Sequence, residues 1–83
     1  MIVPVVVEVM LRDGVADPQG ATIERALPAL GFDGVDNVRA GKAFRFTIEA
    51  ANEDAALERA SALAERLLSN PVIEESRVRL DDE

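Results

Sequence analysis

Arg39 and Lys42 are the charged side chains whose spacing best suits recognition chemistry, because they flank Gly41 in the stretch Val-Arg-Ala-Gly-Lys. Two cations around a glycine could bind a carboxylate, a phosphate or the acidic surface of a partner protein. Taken alone, however, two cations on a turn are more often solvated surface charges. The stretch lacks the second glycine and the Lys-Ser/Thr ending of a phosphate-binding P-loop, so a nucleotide site is not predicted.

The residue types that most enzymes use for acid–base and nucleophilic chemistry are missing from this chain. It contains no histidine, cysteine, tyrosine or tryptophan. Without histidine or cysteine, the serine and threonine hydroxyls lack the usual activating base, and zinc–thiolate sites are excluded. The carboxylates of the first half do not fall at the spacing of a calcium loop: Glu8, Asp13, Asp17, Glu24, Asp33 and Asp36. We therefore predict no catalytic residue, metal site or cofactor site in this chain.

The stretch Asp17-Pro18-Gln19-Gly20 contains more than a helix start requires. Asp17 can accept hydrogen bonds from the free amides of a first helical turn, and Pro18 suits the first helical position. Gly20 serves no such purpose and weakens a helix by about 1 kcal/mol relative to alanine. We therefore predict that Gln19 and Gly20 expose amide and backbone groups for contact with a partner.

The composition is typical of one small, acidic, folded domain over residues 1–83. Hydrophobic residues make up 48% of the chain, which is enough for a core. A small domain buries only about 60% of its unfolded surface, so association with other chains would stabilise it. The formal charge of −7 would repel phosphate backbones, so nucleic acid is not an expected partner. No apolar run could span a bilayer and no basic leader is visible, so we expect a cytoplasmic protein without a membrane partner.

The hydrophobic pattern predicts the order strand, helix, extended segment, helix, strand. Alternating apolar residues predict strands at 3–11 and 72–80, and residues 35–50 are also extended. Helical spacing predicts a first helix from Pro18 to about Leu30. A second helix lies between Asn52, which would cap it, and Asn70-Pro71, which would end it and direct the chain into the last strand. Residues 81–83 are predicted to fray.

Both predicted helices carry features that the structure must accommodate. Pro28 lies inside the first helix, removes a backbone hydrogen bond and predicts a kink or a loosened last turn. The second helix carries a broad apolar stripe that should face the core. Its members are Ala56, Leu57, Ala60, Leu63, Ala64, Leu67 and Leu68.

Two strand assignments remain open. Gly41 suggests a bulge or tight turn that changes the register, so residues 35–50 are either one long bent strand or two strands joined near Ala40-Gly41. The second face of the first strand is mixed, with Pro4, Val6, Glu8 and Met10. That face fits either burial against another subunit or a half-exposed edge strand blunted by Pro4.

This element order predicts an α+β fold with two helices on one face of an antiparallel or mixed sheet. If residues 35–50 form two strands, the order matches the ferredoxin-like βαββαβ arrangement. The other face of the sheet would then be open to solvent or to a partner.

Three stretches, taken in order, resemble the PurS family. They are Val-Ala-Asp-Pro-Gln-Gly at 15–20, Val-Arg-Ala-Gly-Lys at 38–42 and Leu-Ser-Asn-Pro-Val-Ile-Glu at 68–74. This family is the small subunit of phosphoribosylformylglycinamidine synthase in de novo purine synthesis, and the resemblance covers essentially the whole chain. It selects six candidates for partner contact: Asp17, Gln19, Gly20, Arg39, Lys42 and Asn70.

The resemblance implies a noncatalytic subunit that joins a glutaminase to a large ATP-dependent synthetase. The glutaminase would release ammonia, and the synthetase, which would bind ATP and Mg²⁺, would use it to convert formylglycinamide ribonucleotide into the amidine. The small subunit would hold the two active sites in register. The resemblance also implies a homodimer or a dimer of dimers.

Two other kinds of domain, with different functions, share the βαββαβ order. An ACT-like regulatory module would bind an amino acid at a dimer interface through backbone amides of a loop. An RNA-binding module would need basic charge and exposed aromatic residues on its strands, and the acidic balance of this chain disfavours it.

Overall fold

The computed structural model describes residues 1–82 and confirms the α+β fold. Its helices and strands are β1 (Ile2–Leu11), α1 (Pro18–Ala26), β2 (Gly41–Glu49), α2 (Glu53–Leu63) and β3 (Glu74–Leu80). A 3₁₀ turn, Pro28–Leu30, follows α1, so the loosened last turn predicted at Pro28 is confirmed. A π-helical turn, Ala64–Leu68, extends α2.

β1 is the central strand of the sheet, whose order is β2-β1-β3 with both pairs antiparallel. The edge-strand alternative for β1 is therefore wrong. Pro4 is tolerated because its nitrogen faces the β3 side just past the last pair of that ladder, Val5 with Leu80. The Pro4 carbonyl accepts a hydrogen bond from the Asp81 N–H at 3.0 Å. The predicted fraying is thus wrong at Asp81, and residue 83 lies outside the described residues.

The middle of the chain forms one strand, which begins at Gly41 and not at residue 35. Residues 35–40 precede it outside the sheet, so a four-stranded βαββαβ arrangement does not form within residues 1–82. The bulge predicted at Gly41 is also wrong, because Gly41 pairs with Met10 in register with the rest of β2. Glycine is needed there for close approach, since an added Cβ would collide with the Met10 sulfur and the Val9 carbonyl.

The core lies between α2 and the inner face of the sheet. The small side chains of Ala56, Ala60 and Ala64 recur every four residues and are fully buried. They let α2 lie close to the row of valines on β1, with half-buried side chains of β2 and β3 at the sides. These valines are Val3, Val5, Val7 and Val9.

α1 extends away from this core. Gly20 is its one buried residue, and among the described residues no side chain of α1 belongs to either core cluster. The radius of gyration is 16.0 Å, whereas a compact chain of this length would have about 12 Å. Ile23, Leu30 and Phe32 stay exposed on this projecting part of the molecule.

Candidate functional site

The second and third stretches noted in the sequence meet at the end of β1. The Arg12 N–H donates to the Ile73 carbonyl at 2.8 Å, and Arg12 Nε donates to the Pro71 carbonyl at 3.0 Å. Arg39 donates from its guanidinium to the Leu11 carbonyl, also at 3.0 Å. The segments around Arg39 and Pro71 are therefore held against the end of β1, although they lie 28 and 59 residues further along the chain than the residues they bond.

The first stretch completes a cleft at this end of the sheet, between the N-terminus of α1 and the start of β2. Its volume is about 300 Å³. We call it the motif cleft and define it by Val9, Leu11, Asp17, Pro18, Gln19, Ala40, Gly41, Lys42 and Glu74. It therefore brings Asp17, Gln19 and Lys42 to one surface, while their role as contact residues stays a prediction.

Lys42 reaches across the inner face of the sheet to Glu74. Lys42 Nζ lies 3.8 Å from Glu74 Oε2 and 5.9 Å from the centre of the Phe44 ring. The Lys42 side chain is 54% exposed and that of Glu74 is 18% exposed. The lysine is thus paired within the chain but accessible to a partner, where a charge-assisted hydrogen bond could form.

Asn70 does not line the cleft and acts on it through Glu74. The Asn70 N–H donates to Glu74 Oε1 at 2.7 Å, and the Asn70 side-chain oxygen accepts from the Val72 N–H at 3.2 Å. This is the local hydrogen bonding for which asparagine is favoured in turns. Asn70 therefore holds the carboxylate that faces Lys42.

Asp17 links α1 to the chain segment before β2. Its Oδ1 accepts from the Gly20 N–H at 2.9 Å, and its Oδ2 accepts from the Ala40 N–H at 2.8 Å. The guanidinium of Arg39 lies 3.8 Å from Oδ2. The hydrogen bonds from Gly20 and Ala40, with the charge of Arg39, hold the pKa of Asp17 below its ordinary value of 3.8.

We predict that Asp17→Asn lowers the stability at neutral pH and that this difference shrinks below about pH 4. The folded pKa of Asp17 is depressed. Its stabilisation is therefore present above the unfolded value and is lost as the pH falls through the folded value. In one orientation of the asparagine side chain, its NH₂ group would face the Ala40 N–H, and two donors cannot hydrogen-bond to each other. Urea unfolding at several pH values between 2 and 7 measures the effect.

Asp33→Asn is the matched control, because Asp33 is exposed and precedes a glycine turn that asparagine also suits. A constant gap between wild type and Asp17→Asn from pH 7 to pH 2 would contradict the prediction.

Gly20 departs from the expectation that it is exposed. It is buried, and an added Cβ would collide with the Val38 carbonyl and lie 2.7 Å from Asp17 Oδ2. The helix accepts the weaker residue because α1 and the segment at Val38 approach too closely for any side chain. Gln19 beside it is exposed, as predicted.

Arg39 is exposed, but its guanidinium is engaged by hydrogen bonds within the chain. Its guanidinium donates to the carbonyls of Leu11 and Arg12, the latter at 3.4 Å, and its side chain is 36% exposed. These bonds satisfy the carbonyls of the last residue of β1 and of the residue that follows it. Arg39 therefore fixes the position of the segment that leads into Lys42.

The arrangement fits recognition and offers no reactive group. Within residues 1–82, no cluster of three or more potential ligands could hold a metal ion. In the same residues, neither helix has the length and apolar character needed to cross a membrane. Lys42 of the motif cleft is paired with Glu74 within the chain. Because Lys42 and Gln19 are also exposed, the motif cleft is suited to hydrogen bonding with a partner's surface.

Two residues of the site were missed at the sequence level. Glu74 is the last residue of the third stretch. The signal for it was Lys42, because a lysine on the inner face of β2 indicates that an opposite charge lies nearby. Glu24 accepts a hydrogen bond from the Val38 N–H at 2.9 Å. Its seven-residue spacing from Asp17 was the available signal, because that spacing places both carboxylates on one helix face.

Comparison with known proteins gives consistent matches along the chain. Residues 4–82 match the family model PurS, described as phosphoribosylformylglycinamidine (FGAM) synthase. The phosphoribosylformylglycinamidine synthase subunit PurS of Mycobacterium leprae is 46% identical over 70 residues, which cover 84% of this chain and 85% of that protein.

Solved structures resemble this one over nearly their whole length. A chain in the structure of PurLQS from Thermotoga maritima superimposes with a TM-score of 0.88 at 37% identity, covering 98% of this chain and 99% of that one. PurS of Methanocaldococcus jannaschii, described as one of the subunits of formylglycinamide ribonucleotide amidotransferase in the purine biosynthetic pathway, gives 0.83 at 34% identity. That match covers 100% of this chain and 99% of the other.

Proposed function

The chain belongs to the PurS family, and from that membership we propose that it is the small, noncatalytic subunit of phosphoribosylformylglycinamidine synthase in purine biosynthesis. In the proposed enzyme, a glutaminase subunit releases ammonia from glutamine. A large synthetase subunit binds ATP and Mg²⁺ and transfers the ammonia to formylglycinamide ribonucleotide. This chain holds the two subunits together and binds no cofactor itself.

The observation that carries this proposal is the convergence of the three stretches on the motif cleft. Lys42 and Gln19 are exposed at its mouth and are the residues we assign to direct contact with a larger subunit. Asp17, Arg39 and Asn70 are hydrogen-bonded within the chain. Their part in recognition is to hold the two contact residues in place.

Gly20, the sixth candidate, contributes by allowing the close approach on which this geometry depends. Because Gly20 is buried, we assign it no direct contact with a larger subunit.

The proposed subunit works in the cytoplasm and associates with itself as a dimer or a dimer of dimers. The exposed apolar residues of the α1 part favour association with other chains, because a helix of nine residues gains little stability alone. The ACT-like alternative receives no support from the comparisons, and the net charge of −7 disfavours an RNA partner.

We predict that glutaminase and synthetase from the same organism form a stable complex in the presence of this chain and not in its absence. Analytical ultracentrifugation of the three proteins measures this assembly. Lys42→Ala should weaken the assembly about fivefold or more, because interface residues that matter cost more than about 1 kcal/mol when truncated. Its thermal unfolding should stay close to that of wild type, since its ion pair with Glu74 is half-exposed.

Arg66→Ala is the matched control, because Arg66 is an exposed cation on the π-helical turn outside the motif cleft. Equal loss of assembly in both variants would mean that net charge matters and the cleft does not. A complex of the two large subunits alone, as stable as the ternary one, would contradict the bridging role.

A further inference from the structure

α1 is joined to the rest of the molecule by hydrogen bonds more than by apolar packing. It contributes one buried residue, Gly20, and no side chain to the core clusters among residues 1–82. Isolated helices of this length are not stable in water. Within this chain, the direction of α1 is therefore set by its polar contacts and by the close approach of Gly20 to Val38.

Two carboxylates, one on α1 and one on the residue that caps it, accept hydrogen bonds from backbone N–H groups of the segment before β2. Glu24 Oε1 accepts from the Val38 N–H at 2.9 Å, and Asp17 Oδ2 accepts from the Ala40 N–H at 2.8 Å. The two amides are two residues apart in the segment that precedes β2 outside the sheet, and both meet carboxylates of the α1 part. Residues seven apart on a helix lie two turns along one face. The two carboxylates thus accept backbone hydrogen bonds that the carbonyls of a neighbouring strand would accept in a sheet.

We infer that Asp17 and Glu24 form a two-point latch in which Glu24 is a positioning residue that sets the direction of α1 relative to β2. One hydrogen bond near the start of the helix would leave it free to swing about that point. A second bond two turns further along removes this freedom. Because Gln19 lies on α1 and Lys42 on β2, the latch sets the separation of the two contact residues.

Helix capping does not account for Glu24. Asp17 acts both as cap and as latch, since its two oxygens accept from different amides. Glu24 lies in the second turn, beyond the free amides that a cap can reach. The Val38 amide belongs to a segment outside the sheet, so Glu24 gives this half-buried amide the partner it would otherwise lack.

The test is amide hydrogen exchange on the full chain, without partners, for wild type and Glu24→Ala. We expect the Val38 amide to exchange about tenfold faster or more in Glu24→Ala, because hydrogen bonds to charged groups are among the stronger ones. Amides of the β1–β2 ladder should keep their protection. Glu24→Gln retains an oxygen acceptor and should restore most of the Val38 protection. Unchanged exchange at Val38 in Glu24→Ala would overturn the latch.

The effect on partner binding rests on the proposed function and is measured separately by the affinity of each variant for the larger subunits. Glu24→Ala should bind more weakly and Glu24→Gln nearly as well as wild type. Glu58→Ala, an exposed glutamate on α2, is the control. Faster exchange with unchanged affinity would keep the latch and overturn the contact assigned to the motif cleft.

Discussion

Omitting this chain from a reconstituted enzyme should abolish glutamine-dependent amidine formation and leave turnover with added ammonia largely intact. The chain carries no histidine or cysteine, the side chains that most often serve as base near neutral pH and as thiol nucleophile, and the proposed function assigns both reactions to the larger subunits. Its proposed contribution is to keep the two active sites together. Ammonia released by a separate glutaminase would escape into solution and be diluted.

The expected loss with glutamine is at least about a hundredfold, the lower end of the roughly 10²–10⁴-fold gain that joining two binding events can give over either one alone. Steady-state rates with glutamine and with ammonium chloride, with and without this chain, measure both activities. Adding the chain back should restore glutamine use in proportion to assembly. Glutamine-dependent turnover that continues unchanged without the chain would refute the assembly role.

Ala60→Leu should destabilise the isolated chain by about 1–3 kcal/mol, the usual cost of forcing extra methylenes into a packed core. Ala60 is fully buried at the centre of the alanine row that faces β1. A larger side chain there must push α2 away from the valines or adopt a strained rotamer. A domain of this size has a total stability of only about 4–12 kcal/mol, so the loss is a substantial fraction. Urea unfolding measures it.

Ala62→Leu is the matched control, since Ala62 is exposed on the same helix and leucine is also a good helix former. Its effect should stay within about 0.5 kcal/mol. Equal stability of the two variants would mean that α2 does not depend on small residues for its close approach.

The local structure was predictable where the signal was periodic or chemical. Alternating valines indicated β1, Asn52 capped α2 through the Ala55 amide, and Pro28 ended regular helix. Each depends on a neighbour's backbone or on a simple repeat, so sequence alone is sufficient.

The tertiary arrangement was not predictable in the same way. Gly20 was expected on the surface, but the chain segment that covers it lies 18 residues further on, at Val38. Leu67 was expected in the apolar stripe and is 74% exposed. The π-helical turn adds a residue to that turn, as the bond from the Ser69 N–H to the Ala64 carbonyl shows, and rotates Leu67 outward.

Of the candidate site, the sequence singled out three stretches but did not show how they meet. The structure places Asp17, Gln19 and Lys42 around one cleft. Glu74 and Glu24 were missed because their sequence signals, a place in the third stretch and a seven-residue spacing from Asp17, become specific only once the sheet register and the placement of α1 are known.

The central position of β1 has a consequence for how the protein is made. β1 leaves the ribosome before both strands that flank it, and β3 ends at Leu80. β1, with its valines, therefore cannot pair on both sides until nearly seventy residues beyond its own end have been synthesised. Pairings of such long sequence separation form slowly, and unpaired apolar strands invite aggregation. The growing chain must keep this strand from other chains until β3 emerges.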